Sequence, residues 1–214
     1  LIYSFLCSFK ILNLAEEKSF SKVPVLFFRY LENYHFINNF ICSRIGNEVE
    51  KLYAEYSEKF NSSKSSNEFI LNYNNLFRAL REKIATKEEF EERFVSLNYK
   101  HEKNTDFMYI FDKIHNTNIK KETSPAYEFF NPKIPGLIKK YNIEHWYPQR
   151  PKENNNLLSD EYLHNIGNLL VIPKLTNKKL GNYSPKEKAK TLKSDTEFYS
   201  MPHINNFLNE YKDE

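Results

Sequence analysis

The sequence predicts an α+β chain that is mainly α, with a helical N-terminal region followed by a small unit of two short strands and a helix. Two observations carry this. Apolar residues recur at three- and four-residue spacing through the first half, and after a proline-punctuated stretch the C-terminal third holds two apolar runs of strand length. With 214 residues, 40% of them hydrophobic and 16% aromatic, the chain can bury a core, which excludes disorder throughout.

The opening LIYSFLCSFKILNLA is amphipathic and lacks a basic leader, so it reads as neither a membrane span nor a signal peptide. A pattern already running at Leu1, without an initiator Met, leads to the expectation that further domains lie upstream. After Ser21, Pro24 marks a helix start, and Phe27, Leu31, Tyr34 and Ile41 carry that helix to about 43. Val49, Leu52, Tyr53, Tyr56 and Phe60 form the next stripe, which the polar run NSSKSSN at 61–67 interrupts as a loop. Phe69, Tyr73, Leu76, Phe77, Leu80 and Ile84 predict a third helix. Thr86 with Glu89 makes a capping box for a fourth, carrying Phe90 and Phe94, and Phe107, Ile110, Phe111 and Ile114 predict a fifth. These stripes are what a helical core requires, and none of them indicates a ligand site. His35, His101 and His115 lack a second ligand at metal-binding spacing and are assigned no chemistry.

From Asn116 the periodicity fails, and Pro125, Pro132 and Pro135 punctuate an irregular connection to about 140. It predicts a boundary between a helical platform at 1–120 and a second domain at 139–214. Strands follow at Tyr141 to Trp146 and Asn168 to Ile172, separated by the loop PQRPKENNN and a short helix at 159–165. Pro173 ends the second strand, and a short helix covers 174–180. Ser184, Pro185 and Glu187 then supply cap, first-turn proline and capping-box partner for a helix through Leu192.

Composition narrows the function classes. With 31 Lys plus Arg against 28 Asp plus Glu, the net charge of +3 excludes a histone-like basic protein, and only local patches inform on partners. Two cysteines, Cys7 and Cys42, provide neither a disulfide scaffold nor a four-cysteine zinc site, so a reducing cytoplasm is the expected location. No apolar run reaches membrane-spanning length. The 25 Lys to 6 Arg, with abundant Asn, Ile, Phe and Tyr, suit an AT-rich genome.

The C-terminal third carries IEHWYPQ at 143–149 and HNIGNLLVIPKLTNKKLGN at 164–182. An acid and a His, a Pro three positions after the His, an Asn at a strand start and a second Asn nine residues later form a pattern that resembles the ββα-metal (HNH, or His-Me finger) nucleases. IEHWYPQ with IGNLLVIPKLTNKKLGN is similar in particular to the C-terminal nuclease domain of GmrSD-type modification-dependent restriction proteins. In the helical half, FRYLENYHF, NEVEKLYAEYSEKF and DFMYIFDKI resemble the region that joins an N-terminal ParB-like NTPase module to that nuclease. The resemblance implies a small ββα-metal finger at about 139–193 with a C-terminal helical tail, DNA as the partner, and an NTPase module missing from this chain. It also implies a role in defence against modified foreign DNA, such as phage DNA.

Hydrolysing a phosphodiester needs a base for water, a cation to neutralise charge at phosphorus, and help for the departing oxygen. His145 is the natural base, because imidazole has an ordinary pKa of about 6.5 and is neutral, yet still basic, at working pH. Adjacent strand residues face opposite ways, so Glu144 and His145 reach one atom only where the strand end twists or the loop bends. By the resemblance, Glu144 sits where an acidic metal ligand is found, and Asn177 is the second protein ligand. Asn177 also counts with His145 and Asn168 among the catalytic residues, Asn168 bracing the loop that orients His145. A carboxylate and an amide carbonyl are hard donors, which favours Mg²⁺ or Mn²⁺ and disfavours zinc. An amide replaces the last His of the literal His-Asn-His pattern, which implies a weaker, water-rich metal site. His164 reads as a packing residue before the strand, and Gly167 as permitting close backbone approach.

Residues 172–193 hold seven Lys and one acid, Glu187, a local net of +6 from seven minus one. Beside a phosphate-cutting centre, Lys174, Lys178, Lys179, Lys186 and Lys188 suit sequence-independent contact with the DNA backbone, and the family's lysine in this helix aligns with Lys186 or Lys188. The expected function is a metal-dependent DNA endonuclease or nickase. The alternative is a catalytically silent DNA-binding or partner-docking module that retains the finger fold.

Overall fold

Aromatic side chains at helical spacing build the first half of the molecule. α1 (Ile2–Ile11) places Phe5 and Phe9 four residues apart, hence on one face, and both are buried. α2 (Val23–His35) has Pro24 in its first turn, where the missing N–H forfeits no helical bond, and buries Phe27, Leu31 and Tyr34. α3 (Asn47–Ser62) and α4 (Ser66–Glu82) add Phe60, Phe69, Tyr73 and Leu76. Phe5 lies at the centre with 0% exposure. Its ring stacks on Phe27 with centroids 3.8 Å apart and meets Phe60 edge-on at 5.4 Å. The Ser8 hydroxyl, on the same helix face, donates to the Phe60 carbonyl at 2.7 Å.

The structure, a computed structural model, describes residues 1–101, 103–118, 138–152, 158–194 and 202–210. Three local features depart from the expectation. The helix predicted from 23 to 43 stops at His35, and Phe36–Ile41 form a π-helical turn. That widened turn carries the buried Asn38, whose amide donates to the Lys83 carbonyl at 3.1 Å and accepts from the Ala85 N–H at 2.7 Å, satisfying the end of α4. The polar run at 61–67 is two helix ends with a short turn between them. Ser65 accepts from the Glu68 N–H at 3.3 Å while the Glu68 carboxylate accepts from the Lys64 N–H at 2.8 Å. At α5 (Lys87–Val95), Thr86 accepts from the Glu89 N–H at 3.2 Å, but the Glu89 carboxylate pairs with Arg44, so the predicted capping box is half formed.

The chain divides into two compact units, Leu1–Phe94 and Val95–Glu214. The second unit holds α6 (Asn104–Asn118), β1 (Tyr141–His145), α7 (Asp160–Leu163), β2 (Leu169–Pro173), α8 (Lys174–Leu180), α9 (Pro185–Ser194) and α10 (Pro202–Glu210). This is the mainly α, α+β class that the sequence predicts. The expected domain boundary between 120 and 139 falls largely at 119–137, outside the described residues, with Pro125, Pro132 and Pro135. Residues 95–99 join the second unit because their backbone is used there. The Ile166 N–H donates to the Leu97 carbonyl at 3.1 Å, the Tyr99 N–H to the His164 carbonyl at 2.8 Å, and the Asn165 amide to the Val95 carbonyl at 2.5 Å.

β1 and β2 pair antiparallel, with Glu144 opposite Leu170 and His145 opposite Leu169. β1 ends at His145 rather than Trp146, and Asn168 closes a 3₁₀ turn (Ile166–Asn168) rather than opening β2. Trp146, Leu170, Ile172, Leu180, Leu192 and Ile204 form the apolar interior under this hairpin. α9 starts with a complete capping box: the Glu187 N–H donates to the Ser184 hydroxyl at 3.4 Å, and the Ser184 N–H donates back to the Glu187 carboxylate at 2.9 Å. No helix among the described residues is long and apolar enough to cross a membrane.

Replacing Phe5 by Ala removes the ring on which five others pack and leaves a cavity in a closed interior. Urea unfolding followed by circular dichroism is expected to show a loss of about 3–5 kcal/mol.

Candidate functional site

The end of β1, the loop after it, α8 and α9 surround an open cavity of about 390 Å³. Glu144, His145, Gln149, Arg150, Asn177 and Lys188 are among its lining residues. Strand alternation would send Glu144 and His145 to opposite faces, yet both reach this cavity. His145 is the last residue of β1, where the ladder ends and the chain bends into the 146–147 turn.

Glu144 is only 7% exposed and its carboxylate is fully engaged. Lys188, from α9, places its ammonium 2.5 Å from Oε1. The Asn177 amide, from α8, donates to Oε2 at 2.7 Å. Burial pushes the Glu144 carboxyl up from its ordinary range and the Lys188 ammonium down, and each partner's charge opposes the shift of the other. Lys188 also donates to the His145 carbonyl at 2.6 Å. This corrects its expected place among the DNA-contacting lysines. At 0% exposure it cannot touch a phosphate backbone, because its ammonium is spent inside the site. Lys174, Lys178, Lys179 and Lys186 are exposed.

His145 is 7% exposed and held on several sides. Its Nε2 lies 3.1 Å from Nδ1 of His164, and the Gln149 amide nitrogen lies 3.1 Å from its Nδ1. Tyr99 meets the ring edge-on at 5.6 Å. Burial, then the neighbouring His164 and Lys188, push the His145 imidazole down to about 4, so it is neutral around pH 7. Asn168 ties the turn that follows. Its side-chain oxygen accepts from the Tyr147 N–H at 2.7 Å, and its amide donates to the Tyr147 carbonyl at 3.2 Å and the Leu163 carbonyl at 2.8 Å. The Asn168 carbonyl accepts from the Trp146 N–H at 2.8 Å.

The sequence reading missed two participants. His164, taken as packing, faces His145, and Gln149, the last residue of IEHWYPQ, meets the same ring. Neither position carried a period or motif of its own that could have marked it.

The site brings a carboxylate and an amide side by side at the wall of an open cavity, next to a neutral imidazole. Residues 84–213, well over half of the chain, match the family described as GmrSD restriction endonucleases, C-terminal domain. The chain belongs to that family. The matched range covers all but the last residue of the second unit, so the GmrSD C-terminal domain contains every residue of the cavity. Membership implies a restriction endonuclease role, with phosphodiester hydrolysis as the activity and DNA as the substrate. No curated protein and no solved structure matches the chain.

Nucleases of this kind generally use divalent metals. Among the described residues of this GmrSD domain, no group of three or more His, Cys, Asp and Glu side chains could hold an ion. The oxygen donors at hand are Glu144 and, with its amide turned over, Asn177, whose oxygen now lies 3.4 Å from the Asn142 amide. As arranged, both Glu144 oxygens are taken up by Lys188 and Asn177, so a Mg²⁺-like ion would bind here only with the Asn177 amide turned over and with water supplying most of its shell.

Replacing Lys188 by Met leaves the Glu144 carboxylate buried without its counter-charge, and thermal unfolding is expected to report a loss of about 3–5 kcal/mol. Adding Glu144→Gln to that variant should recover most of it. Equal stability of the parent and Lys188→Met would show that the pair does not hold the site.

Proposed function

We propose that this chain is a metal-dependent DNA endonuclease or nickase of the HNH, ββα-metal type. The supporting observation is that Glu144, His145 and Asn177, from β1 and α8, line one open cavity beside the buried Lys188. In this reading, Glu144 and Asn177 hold Mg²⁺ or Mn²⁺, and the bound ion supplies charge neutralisation at phosphorus and at the leaving oxygen.

The chain's own residues do the rest. Neutral His145 accepts a proton from a water molecule as that water's oxygen bonds to phosphorus and the bond from phosphorus to the 3′ oxygen breaks. Its basic nitrogen is available because burial disfavours the charged ring in the absence of substrate. Lys188 keeps the Glu144 carboxylate in place, and Asn168 keeps the turn after His145 in place. Exposed Lys174, Lys178, Lys179 and Lys186 meet the DNA backbone without reading bases.

We further propose a biological setting of the kind the family name suggests. The chain acts as the C-terminal effector part of a modification-dependent restriction protein in anti-phage defence, in the cytoplasm. An upstream ParB-like NTPase module senses the modification and controls cutting.

His145→Ala is expected to abolish nicking of supercoiled plasmid in Mg²⁺ or Mn²⁺ while DNA affinity, measured by fluorescence anisotropy, stays nearly unchanged. Parent-rate nicking by the variant would refute His145 as the base. Salt-sensitive DNA binding by the parent chain without cleavage in any divalent metal would instead favour a silent DNA-binding module. In the same binding assay, Lys174→Ala with Lys178→Ala should flatten the slope of log affinity against log salt by about 1.8, the value for two phosphate contacts.

A further inference from the structure

We propose that His164 is the positioning residue that fixes the tautomer of His145, so that His145 keeps its proton on Nε2 and its lone pair on Nδ1. The proposal rests on the nuclease reading for its kinetic consequence, and on geometry alone for the tautomer.

His164 follows α7 as its C-cap and is buried. Its Nδ1 lies 3.1 Å from His145 Nε2, with the two rings crossing at 87°. Both rings are buried, and the contact is between ring nitrogens alone. Two neutral imidazoles at that distance share a single proton: one nitrogen donates and the other accepts. If His164 donates, His145 carries its proton on Nδ1, and no nitrogen of its ring is left to take one from water. If His164 accepts, the His145 proton sits on Nε2, Nδ1 carries the lone pair, and His164 holds its own proton on Nε2. A base at His145 requires the second arrangement.

Gln149 points the same way. Its amide nitrogen lies 3.1 Å from His145 Nδ1 and 3.2 Å from Nε2. With Nε2 committed to His164, the amide N–H is left to Nδ1, which must then accept. The Gln149 amide thus marks where a water proton would be taken. His164 is itself fixed from behind, because its carbonyl accepts from the Tyr99 N–H at 2.8 Å while the Tyr99 ring packs edge-on against His145. One short stretch therefore seats both histidines.

Long-range ¹H–¹⁵N spectra of the full chain read the tautomer directly, and His145→Gln assigns the His145 signals by removing them. The parent is expected to show His145 with its proton on Nε2. In His164→Ala that single tautomer should be lost, and in His164→Asn, whose amide oxygen can accept in place of Nδ1, it should be kept. In plasmid cleavage, His164→Ala should lower kcat by about 10²-fold with little change in KM, and His164→Asn should restore most of it. A His145 proton on Nδ1 in the parent, or an Nε2–H ring that His164→Ala leaves unchanged, overturns the proposal. If His164→Ala does not fold, the parent spectrum and His164→Asn decide it. A parent chain that cuts no DNA defeats the nuclease reading, and its spectrum still decides the tautomer.

Discussion

The second unit's site depends on one buried ammonium. A carboxylate as enclosed as that of Glu144 loses several kcal/mol of hydration, which only a close counter-charge and hydrogen bonds can offset. Lys188 supplies the charge at 2.5 Å and Asn177 the hydrogen bond at 2.7 Å. Because the same ammonium binds the His145 carbonyl, it also fixes the backbone of the neighbouring residue. Glu144 and His145 therefore reach the cavity together, although strand geometry alone would part them.

Ordinary packing puts that ammonium where it is. On α9, Lys188, Ala189 and Leu192 are all buried, and Leu192 lies one turn beyond Lys188 on the same face. The apolar contacts that seat α9 under the hairpin, through Ala189, Leu192 and their neighbours Leu170, Ile172 and Leu180, carry the lysine inward with them. At the other side of the hairpin, three hydrogen bonds of Asn168, to Trp146 and Tyr147, hold the turn after His145. Core packing and polar bracing thus act on the adjacent Glu144 and His145 and hold both in place.

Most of the fold was legible because its cause is local. Phe69, Tyr73, Leu76 and Leu80 are buried at the helical spacing that announced them, and Ser184 with Glu187 caps α9 as the motif states. What was not legible arises from partners distant in sequence. Asn38 reaches the end of α4 some 45 residues away, and the π turn at Phe36–Ile41 goes with it. The pairing of residues 95–99 with 164–166 groups the chain from Val95 onward in the second compact unit, a contact with no signature in either segment alone. Charge counting places Lys188 among the DNA-contacting lysines because it ignores helix phase. Its place four residues before Leu192, on the apolar face, was the available clue. His164 offered none, since an interaction across 19 residues between two rings leaves no period.

The same ion pair shapes the electrostatics of the proposed reaction. Glu144 and Lys188 cancel one another, so the cavity wall presents little net charge to an approaching phosphodiester. A cation beside the carboxylate would therefore restore a positive field at the scissile group, while the exposed lysines of α8 and α9 would draw the backbone in from a distance. Lys188 has a further effect, because its charge helps hold the His145 ring neutral. One buried lysine thus holds the carboxylate and adds a little to what burial does in disfavouring the charged His145 ring. Replacing it with an exposed cation of equal charge would supply neither, because both effects require the low-dielectric contact that burial creates.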